Sequence, residues 1–307
     1  MGAERDPELI ELLREVRRID VQASRLVNGR ITGEYTSVFR GTGLEFDGVR
    51  EYEEGDDPRL VDWNVTARIG RPHVKKFIEE RDLTVLFLLD LSASMEAGFG
   101  AWSVRQAAAR VCACLAFAAI RNNDRVGLIP FHDEVDGYVP PSKGVRHVLR
   151  IVRDCLALPC PTGRTGRTRI GPALEYASRL HRRRAVLFVV SDFLTDDGPD
   201  AMRLCARRHD LVAVRMRAPE LDGVRTSGLI RVVDPETGGE TVLDAGSHRV
   251  REAWRARVAA WRERTTRELR RARVDLMDVP IPWEADPTAI ARPILEFYRM
   301  REVRGAR

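Results

Sequence analysis

The segment Thr84–Met95 reads TVLFLLDLSASM and joins a run of apolar residues to a polar turn. Its opening residues are mostly branched or aromatic, which is typical of a strand buried on both faces of a parallel sheet. Asp90 ends this run, and Ser92 and Ser94 follow at spacings of two residues. One carboxylate and two hydroxyls in a single turn can converge on a hard cation such as Mg²⁺ or Mn²⁺. The segment therefore predicts a metal site beyond a strand's carboxyl end, where open α/β sheets bind their ligands.

Apolar strands alternate with helices along the chain from residue 83 onward. The predicted strands cover residues 84–90, 125–131, 135–139, 185–191, 211–217 and 274–279, and the predicted helices cover 101–121, 145–157, 170–182, 199–208, 247–273 and 287–301. Such alternation predicts an α/β fold with a doubly wound, mostly parallel, Rossmann-type sheet. Two of the strands, 125–131 and 135–139, are too close for a crossover helix, so we expect an antiparallel pair at the sheet edge.

The chain divides into an amino-terminal part, residues 1–82, and an α/β domain, residues 83–301. The first part begins with an amphipathic helix over residues 7–27 and continues with a glycine-rich, irregular or β segment and a short helix over residues 57–68. In the second part, residues 228–244 contain two extended runs around an Asp-Pro-Glu-Thr-Gly-Gly turn. That pattern predicts a β-hairpin inserted before the long helix.

Two further loops are expected at the same edge of the sheet, since Thr168 precedes one helix and Asp192 ends a later strand. The order Asp-x-Ser-x-Ser, a lone threonine and a strand-terminal aspartate resembles the metal ion-dependent adhesion site of von Willebrand factor A domains. The resemblance implies a von Willebrand A-like fold in which three hydroxyls contact the metal directly, and two carboxylates contact it directly or through water. The hydroxyls are those of Ser92, Ser94 and Thr168, and the carboxylates are those of Asp90 and Asp192. A free coordination position would then accept a carboxylate from a partner protein.

The loop before the helix 170–182 is rich in arginine. Arg164, Arg167 and Arg169 place positive charge beside the predicted metal site. We expect these side chains to contribute to the recognition of an acidic partner, so that binding depends strongly on salt concentration.

A second resemblance covers the segment upstream of the first buried strand. Its characteristic residues are Arg40-Gly41-x-Gly43-x-Glu45-Phe46-Asp47, Arg50-Glu51-Tyr52, Gly55-Asp56-Asp57-x-Arg59 and Asp62-Trp63. This combination closely resembles the bacterial family called domain of unknown function 58 (DUF58), in which it precedes a von Willebrand A-like domain. The resemblance extends over residues 30–210. It implies a partner, a MoxR-type AAA+ ATPase, with which the protein would act as a metal-dependent adaptor in protein maturation or complex assembly.

The charged residues of this upstream segment also have a purely structural interpretation. Ion pairs and helix caps among them would hold an irregular stretch against the sheet, and the residues concerned are Glu45, Arg50, Glu51, Asp56, Asp57, Arg59 and Asp62. Tyr52 and Trp63 are expected to anchor the core of the segment.

Two alternatives to a metal-dependent binding site stay open. In the first, Asp90 caps the next helix and the serines satisfy backbone groups. In the second, the protein is a Mg²⁺-dependent phosphatase of the haloacid-dehalogenase type, with Asp90 as nucleophile and Asp196 among the acids that hold the metal. That chemistry requires a second acid where Ser92 stands and a lysine between the two loops, for which Lys143 is the one candidate. We therefore predict that the protein is not an enzyme.

The composition argues against several other classes of protein. No apolar run approaches the ~20 residues that span a bilayer, and charges interrupt the amino terminus, so we expect no membrane span and a cytoplasmic location. Only three of the 51 basic residues are lysine, and the arginines alternate with acids, which favours solvated helix faces over a nucleic-acid surface. The five cysteines form no Cys-x-x-Cys pair and the six histidines no His-x-x-x-His pair, so reduced thiols and no zinc site are expected.

Overall fold

The computed structural model describes residues 44–79, 83–159, 168–223, 225, 228–286 and 288–305, and, of the amino-terminal segment, residues 14, 17–19, 21–24 and 35. The strands in these ranges are β1 (Leu44–Glu51), β2 (His73–Glu79), β3 (Thr84–Asp90), β4 (Arg125–Phe131), β5 (Val139–Ser142), β6 (Val186–Ser191), β7 (Asp210–Arg217), β8 (Leu229–Val233), β9 (Glu240–Asp244) and β10 (Asp275–Pro280). The α-helices are α1 (Trp63–Ile69), α2 (Val104–Arg121), α3 (Val145–Ala157), α4 (Ile170–Leu180), α5 (Pro199–Cys205), α6 (His248–Arg271) and α7 (Thr288–Gly305).

Six strands form the central sheet, in the spatial order β10-β7-β6-β3-β4-β5. Five of them run parallel to one another, and β5 pairs antiparallel with β4 at one edge. The chain enters this sheet at β3, adds β4 and β5 on one side, and then returns to add β6, β7 and β10 on the other. The sheet is therefore doubly wound, with its topological switch point between β3 and β6, and the predicted fold class is confirmed.

Helices cover both faces of the sheet, and the apolar side chains of β3 pack against the helices on each face. Alternate side chains of a strand point to opposite faces. Val85, Phe87 and Leu89 pack into a core formed with α2, α3 and α7. The intervening Leu86 and Leu88 pack into a second core, formed with α4, α5 and α6. A strand buried on both faces needs an unbroken apolar run, and this explains why the opening segment carries one.

Strand β5 lies later in the chain than the sequence predicted. A strand was expected over residues 135–139, but Val135 makes only an isolated bridge with Phe131, and the ladder with β4 is formed by Val139–Ser142. This strand includes two prolines, which lack the N–H donor that a central strand needs. They are tolerated here because β5 is at the edge of the sheet.

The charged residues upstream of β3 pair with one another and cap short helices, as the structural interpretation predicts, whereas their role in holding the segment against the central sheet stays a prediction. Strands β1 and β2 pair antiparallel, and Arg50 donates two hydrogen bonds of 2.8 and 2.6 Å to the carboxylate of Asp56. The helix predicted over residues 57–68 is divided into a 3-10 turn and α1. This division arises because Asp57 and Asp62 each cap a separate start, accepting from backbone N–H groups at 2.9 and 3.0 Å.

One prediction for this segment is wrong. Trp63 was expected to anchor its core, yet it is 72% exposed, because α1 buries none of its residues. Tyr52 is half-buried, and its hydroxyl donates to the carbonyl of Asp56 at 3.2 Å. Residues 40–43 and most of the helix predicted over 7–27 lie outside the described residues, and the division of the chain at residue 82 stays a prediction.

Strands β8 and β9 form the hairpin predicted within residues 228–244, with Leu229 opposite Asp244 at its base. It connects β7 to α6 and forms no ladder with the central sheet. No helix in the described part of the chain is both long enough and apolar enough to cross a membrane.

Candidate metal centre

The carboxyl ends of β3 and β6 lie side by side at the switch point of the sheet. Asp90 is the last residue of β3, Ser191 is the last residue of β6, and Asp192 directly follows it. The hydroxyl of Ser191 donates to Asp90 Oδ2 at 2.6 Å, while Asp90 Oδ1 accepts from the backbone N–H of Ser92 at 2.8 Å. Both aspartates are buried. The crevice in which doubly wound folds bind ligands therefore contains the two acids that the sequence singled out.

The two predicted serines lie directly after β3, beside these acids. Their hydroxyl oxygens, in Ser92 and Ser94, are 3.1 Å apart, and Ser94 and Asp192 line the same cavity. The next α-helix, α2, is capped by Ser103, which accepts from Gln106 N at 3.2 Å. Asp90 is thus not the cap of that helix, in contrast to the first alternative.

Thr168 reaches the same place from the loop before α4. It is buried, and its carbonyl oxygen accepts from the hydroxyl of Thr195, three residues after Asp192, at 3.0 Å. The Thr168 hydroxyl donates to Glu236 Oε1 at 3.2 Å. Glu236 is in the turn of the β8–β9 hairpin and was not among the predicted site residues. No periodicity connects a turn residue to a loop 68 positions away, so only the folded chain reveals this contact.

The negative charges of the carboxyl groups at this site are unfavourable without a cation, and their pKa values show this. Burial raises the pKa of Asp90 to about 7, and the charge of Asp192 contributes to the rise. Burial is also the main cause of the raised pKa values of Asp192 and Glu236. Each of these shifts means that a negative charge is poorly compensated by its surroundings. Carboxylate and hydroxyl oxygens around such a place suit Mg²⁺ or Mn²⁺, which are hard and oxygen-seeking, and the residues present therefore fit the predicted metal.

The arginine-rich loop is described only at its end. Arg169 is exposed, and its backbone N–H donates to the carbonyl of His132 at 2.8 Å, at the same edge of the sheet. Arg164 and Arg167 lie outside the described residues, so the role of this loop in partner recognition stays a prediction.

Asp196 and Lys143 are not placed as the phosphatase alternative requires. The side chain of Asp196 is 88% exposed and pairs with Arg264 at 3.2 Å. Lys143 directly follows β5, whose last residue pairs with the second residue of β4. It therefore lies towards the amino ends of the parallel strands, whereas Asp90 lies at their carboxyl ends.

A different group of potential metal ligands follows β4. Ligand atoms of His132, Asp133 and Glu134 lie within 4.8 Å of one another. Both ring nitrogens of His132 are already engaged, however, Nε2 with Asp133 at 2.6 Å and Nδ1 with Asp136 at 2.7 Å. We interpret this group as a histidine fixed between two carboxylates.

Arg105 holds the turn that contains Ser92 and Ser94 against α3, and its substitution is a test of this role. Its buried guanidinium donates to the Glu96 carboxylate, at the end of that turn, to the carbonyl of Cys155 at 2.7 Å and to the carbonyl of Leu158. We expect Arg105→Met to lower the free energy of unfolding by about 2–3 kcal/mol, because buried acceptors lose their donor. Urea denaturation measures this. Glu96→Gln is the control, with an expected loss below about 1 kcal/mol because Glu96 is half exposed; equal losses would contradict the assignment.

Several known proteins are similar to this chain. The uncharacterized protein Rv1480 of Mycobacterium tuberculosis is 29% identical over 252 residues, which cover 80% of this chain and 74% of that protein. The uncharacterized protein Mb1516 of Mycobacterium bovis gives the same values. Among solved structures, an aerotolerance-related membrane protein from Bacteroides fragilis is 19% identical with a TM-score of 0.43, and covers 71% of this chain and 99% of its own. The SpRpn10 VWA domain is 14% identical with a TM-score of 0.37, and covers 69% of this chain and 93% of its own.

A family match extends over most of the chain. Residues 48–264 match the family described as protein of unknown function DUF58. This range includes most of the upstream segment, both acids of the candidate metal centre and the β8–β9 hairpin. The resemblance inferred from the upstream segment is thereby confirmed, and the chain belongs to the DUF58 family.

Proposed function

We propose that this protein is a metal-dependent protein-interaction module in which a bound Mg²⁺ or Mn²⁺ accepts a carboxylate from a partner. One observation carries the proposal: two buried aspartates lie at the switch point among hydroxyl groups, with Ser191 donating to Asp90 at 2.6 Å and the hydroxyl oxygens of Ser92 and Ser94 3.1 Å apart. The residues that would hold the cation are Asp90, Ser92, Ser94, Thr168 and Asp192.

The chain's own groups orient the acids for this task. Ser191 and the backbone N–H of Ser92 each donate to one oxygen of Asp90, and Leu194 N donates to Asp192 Oδ1 at 3.0 Å. These donors fix the carboxylates and favour their ionised form. The serine and threonine hydroxyls supply oxygen without further negative charge. A cation held in this way is only partly neutralised, so a carboxylate from outside gains strongly by approaching it.

The family resemblance provides the partner in this proposal. A MoxR-type AAA+ ATPase, or a client that offers an acidic side chain, would bind through the cation, and the protein would act as an adaptor in protein maturation or complex assembly. Exposed Arg169, with Arg164 and Arg167, would attract an acidic partner over a longer range. The cytoplasmic location stays a prediction.

The test compares wild type, Asp90→Ala and Asp196→Ala for capture of a purified MoxR-type ATPase, in Mg²⁺ and in EDTA. We expect capture by wild type and Asp196→Ala in Mg²⁺ only, and none by Asp90→Ala. Asp196 is the matched control, because it is an acid close in sequence to Asp192 but exposed and paired with Arg264. Equal capture in EDTA, or by Asp90→Ala, would overturn the mechanism. Isothermal titration with Mn²⁺ on the same three proteins measures cation binding independently of any partner.

A further inference from the structure

The β8–β9 hairpin is an exposed arm, unlike the buried strands of the central sheet. Its base is closed by a 2.8 Å hydrogen bond from Ala245 N to the carbonyl of Gly228. Apolar side chains along it face solvent, with Leu229 78% and Val242 64% exposed. Of the apolar side chains in β8 and β9, the opposed pair Ile230 and Leu243 near the base is half-buried, so burial of the strands leaves the position of the tip to other contacts.

The tip itself has a fixed shape. Asp234 Oδ1 accepts from the backbone N–H groups of Glu236 and Thr237 at 2.9 and 3.3 Å, and its Oδ2 accepts from the Thr237 hydroxyl at 2.6 Å. An aspartate that binds the backbone two residues onward is a common way to fix a turn. These bonds fix the backbone from which the Glu236 side chain projects.

Glu236 is the residue of this tip whose side chain is half-buried. Residues 231–240 are all described, and Glu236 is the one among them that is not exposed. Its carboxylate accepts from the hydroxyl of Thr168, one of the five predicted metal ligands. Glu236, Ser94 and Asp192 also line one cavity of about 330 Å³. The hairpin therefore brings a carboxylate into the cavity beside the candidate metal centre.

The sign of the charge at this position points to a cation. Glu236 lines the same cavity as the buried Asp192 and accepts a hydrogen bond from Thr168, and like charges that share a cavity repel each other. If the turn served only to cover the site, a neutral side chain would be more favourable, because it would avoid this repulsion. A divalent ion between these groups turns the repulsion into attraction.

We propose that Glu236 is an internal carboxylate ligand of the bound cation, and that the β8–β9 hairpin closes the metal centre in the partner-free protein. The inference rests on the proposed function, because it assumes the cation. A tethered ligand acts at an effective concentration of about millimolar, so a single free carboxylate competes poorly with it. A partner must then offer further contacts to displace the arm, which makes the hairpin a determinant of specificity.

The experiment uses Mn²⁺ as the probe with the full chain. Isothermal titration compares wild type, Glu236→Gln, Glu236→Ala and Glu240→Gln, and hydrogen exchange follows the amides of residues 228–244 with and without Mn²⁺. Glu240 is the matched control, since it is an exposed acid on the same hairpin, 3.4 Å from Arg231. We expect Glu236→Gln and Glu236→Ala to weaken Mn²⁺ binding by about tenfold, because one charged ligand is lost. Mn²⁺ should slow exchange of the hairpin in wild type and Glu240→Gln only.

The outcomes separate this inference from the proposed function. Absence of Mn²⁺ binding by wild type would refute the proposed function, and the inference with it. Normal Mn²⁺ affinity in Glu236→Gln, with unchanged hairpin exchange, would refute the inference alone. If only Glu236→Ala bound weakly, Glu236 would merely orient the Thr168 hydroxyl, because glutamine still accepts that hydrogen bond; this result would also overturn the proposal.

Discussion

Asp90→Asn is expected to make the metal-free protein more stable at neutral pH and, at the same time, to remove its stabilisation by Mg²⁺ or Mn²⁺. Asparagine keeps the shape of the side chain and an oxygen for the Ser92 N–H, so the fold is retained. It removes a buried negative charge that lies beside Asp192. Most substitutions of buried residues destabilise a protein, so a gain in stability here would identify a residue kept for binding.

The pH dependence of the free energy of unfolding shows why Asp90→Asn should stabilise the metal-free protein. The pKa of Asp90 is raised from 3.8 to about 7 in the folded chain, so the folded state binds the proton more tightly than the unfolded state. The free energy of unfolding of the metal-free wild type should therefore fall as pH rises from about 4 to about 7, and then stay level. This pH interval corresponds to at most about 4 kcal/mol. We expect a net gain of about 2 kcal/mol for Asp90→Asn above neutrality, after the poorer hydrogen bonds of the amide are allowed for.

Urea denaturation in EDTA across this pH range, repeated with Mg²⁺, measures both parts of the prediction. Asp124→Asn is the matched control, because Asp124 is also buried but lies at the amino ends of the strands. There it accepts from Tyr35 and from Leu83 N at 2.8 and 2.9 Å. We expect no gain in that variant and unchanged stabilisation by Mg²⁺. A loss of stability in metal-free Asp90→Asn at high pH would show that the buried charge is compensated by groups other than a cation.

The sheet and its acids were predictable because they depend on local patterns. An unbroken apolar run followed by a carboxylate is typical of a buried parallel strand with a polar carboxyl end; Asp90 ends β3, and Asp192 directly follows β6. Alternation with helices then places both ends at one edge of the sheet. The position of β5 was predicted wrongly because its two prolines argue against a strand, and a strand that contains them is possible only at the edge of a sheet.

The supporting contacts of the site were not predictable from local patterns. Glu236 is an acid in a polar turn, and nothing nearby in the sequence distinguishes it from a solvated residue. Arg215 stands in the strand β7, where an apolar residue would be expected, and its charge is satisfied by groups on two other elements. Both depend on residues more than forty positions away, so long-range packing decides their roles.

Arg215→Met is expected to destabilise the protein by about 3 kcal/mol or more. Arg215 is fully buried and donates to both oxygens of Asp278 on β10, at 3.1 and 2.9 Å. It also donates to the carbonyl of Arg262 at 3.2 Å and lies 5.4 Å from the ring of Trp261. Methionine fills much of the volume but removes these donated bonds, and it leaves Asp278 with Arg217 at 3.7 Å and the Arg262 carbonyl with the Thr266 hydroxyl at 2.7 Å. Arg215 therefore ties α6 to the sheet.

The same residue supports the candidate metal centre through α6. Trp261 Nε1 donates to the carbonyl of Phe193 at 3.1 Å, and Phe193 directly follows Asp192. Phe193 has a φ of 57°, a left-handed conformation that costs a non-glycine residue about 1–2 kcal/mol. Such a conformation persists only where the surroundings enforce it. Loosening α6 should therefore relax Phe193, displace Asp192 and weaken Mn²⁺ binding, although Arg215 contacts no predicted metal ligand.

Two variants separate the contributions of Arg215 to stability and to binding. Arg217→Met, on the same strand, removes a more exposed arginine that lies 3.7 Å from Asp278, and we expect a loss below about 1 kcal/mol with normal Mn²⁺ affinity. Trp261→Phe keeps an aromatic ring near Arg215 but removes the donor to Phe193. We expect it to cost about 1 kcal/mol and to weaken Mn²⁺ binding several-fold, as in Arg215→Met. Urea denaturation and Mn²⁺ titration report the two effects. If Arg215→Met lost stability while its Mn²⁺ affinity stayed normal, the path from β7 through Trp261 to Asp192 would be excluded, and the left-handed Phe193 would have to be held by Ser191, which accepts its N–H at 3.0 Å.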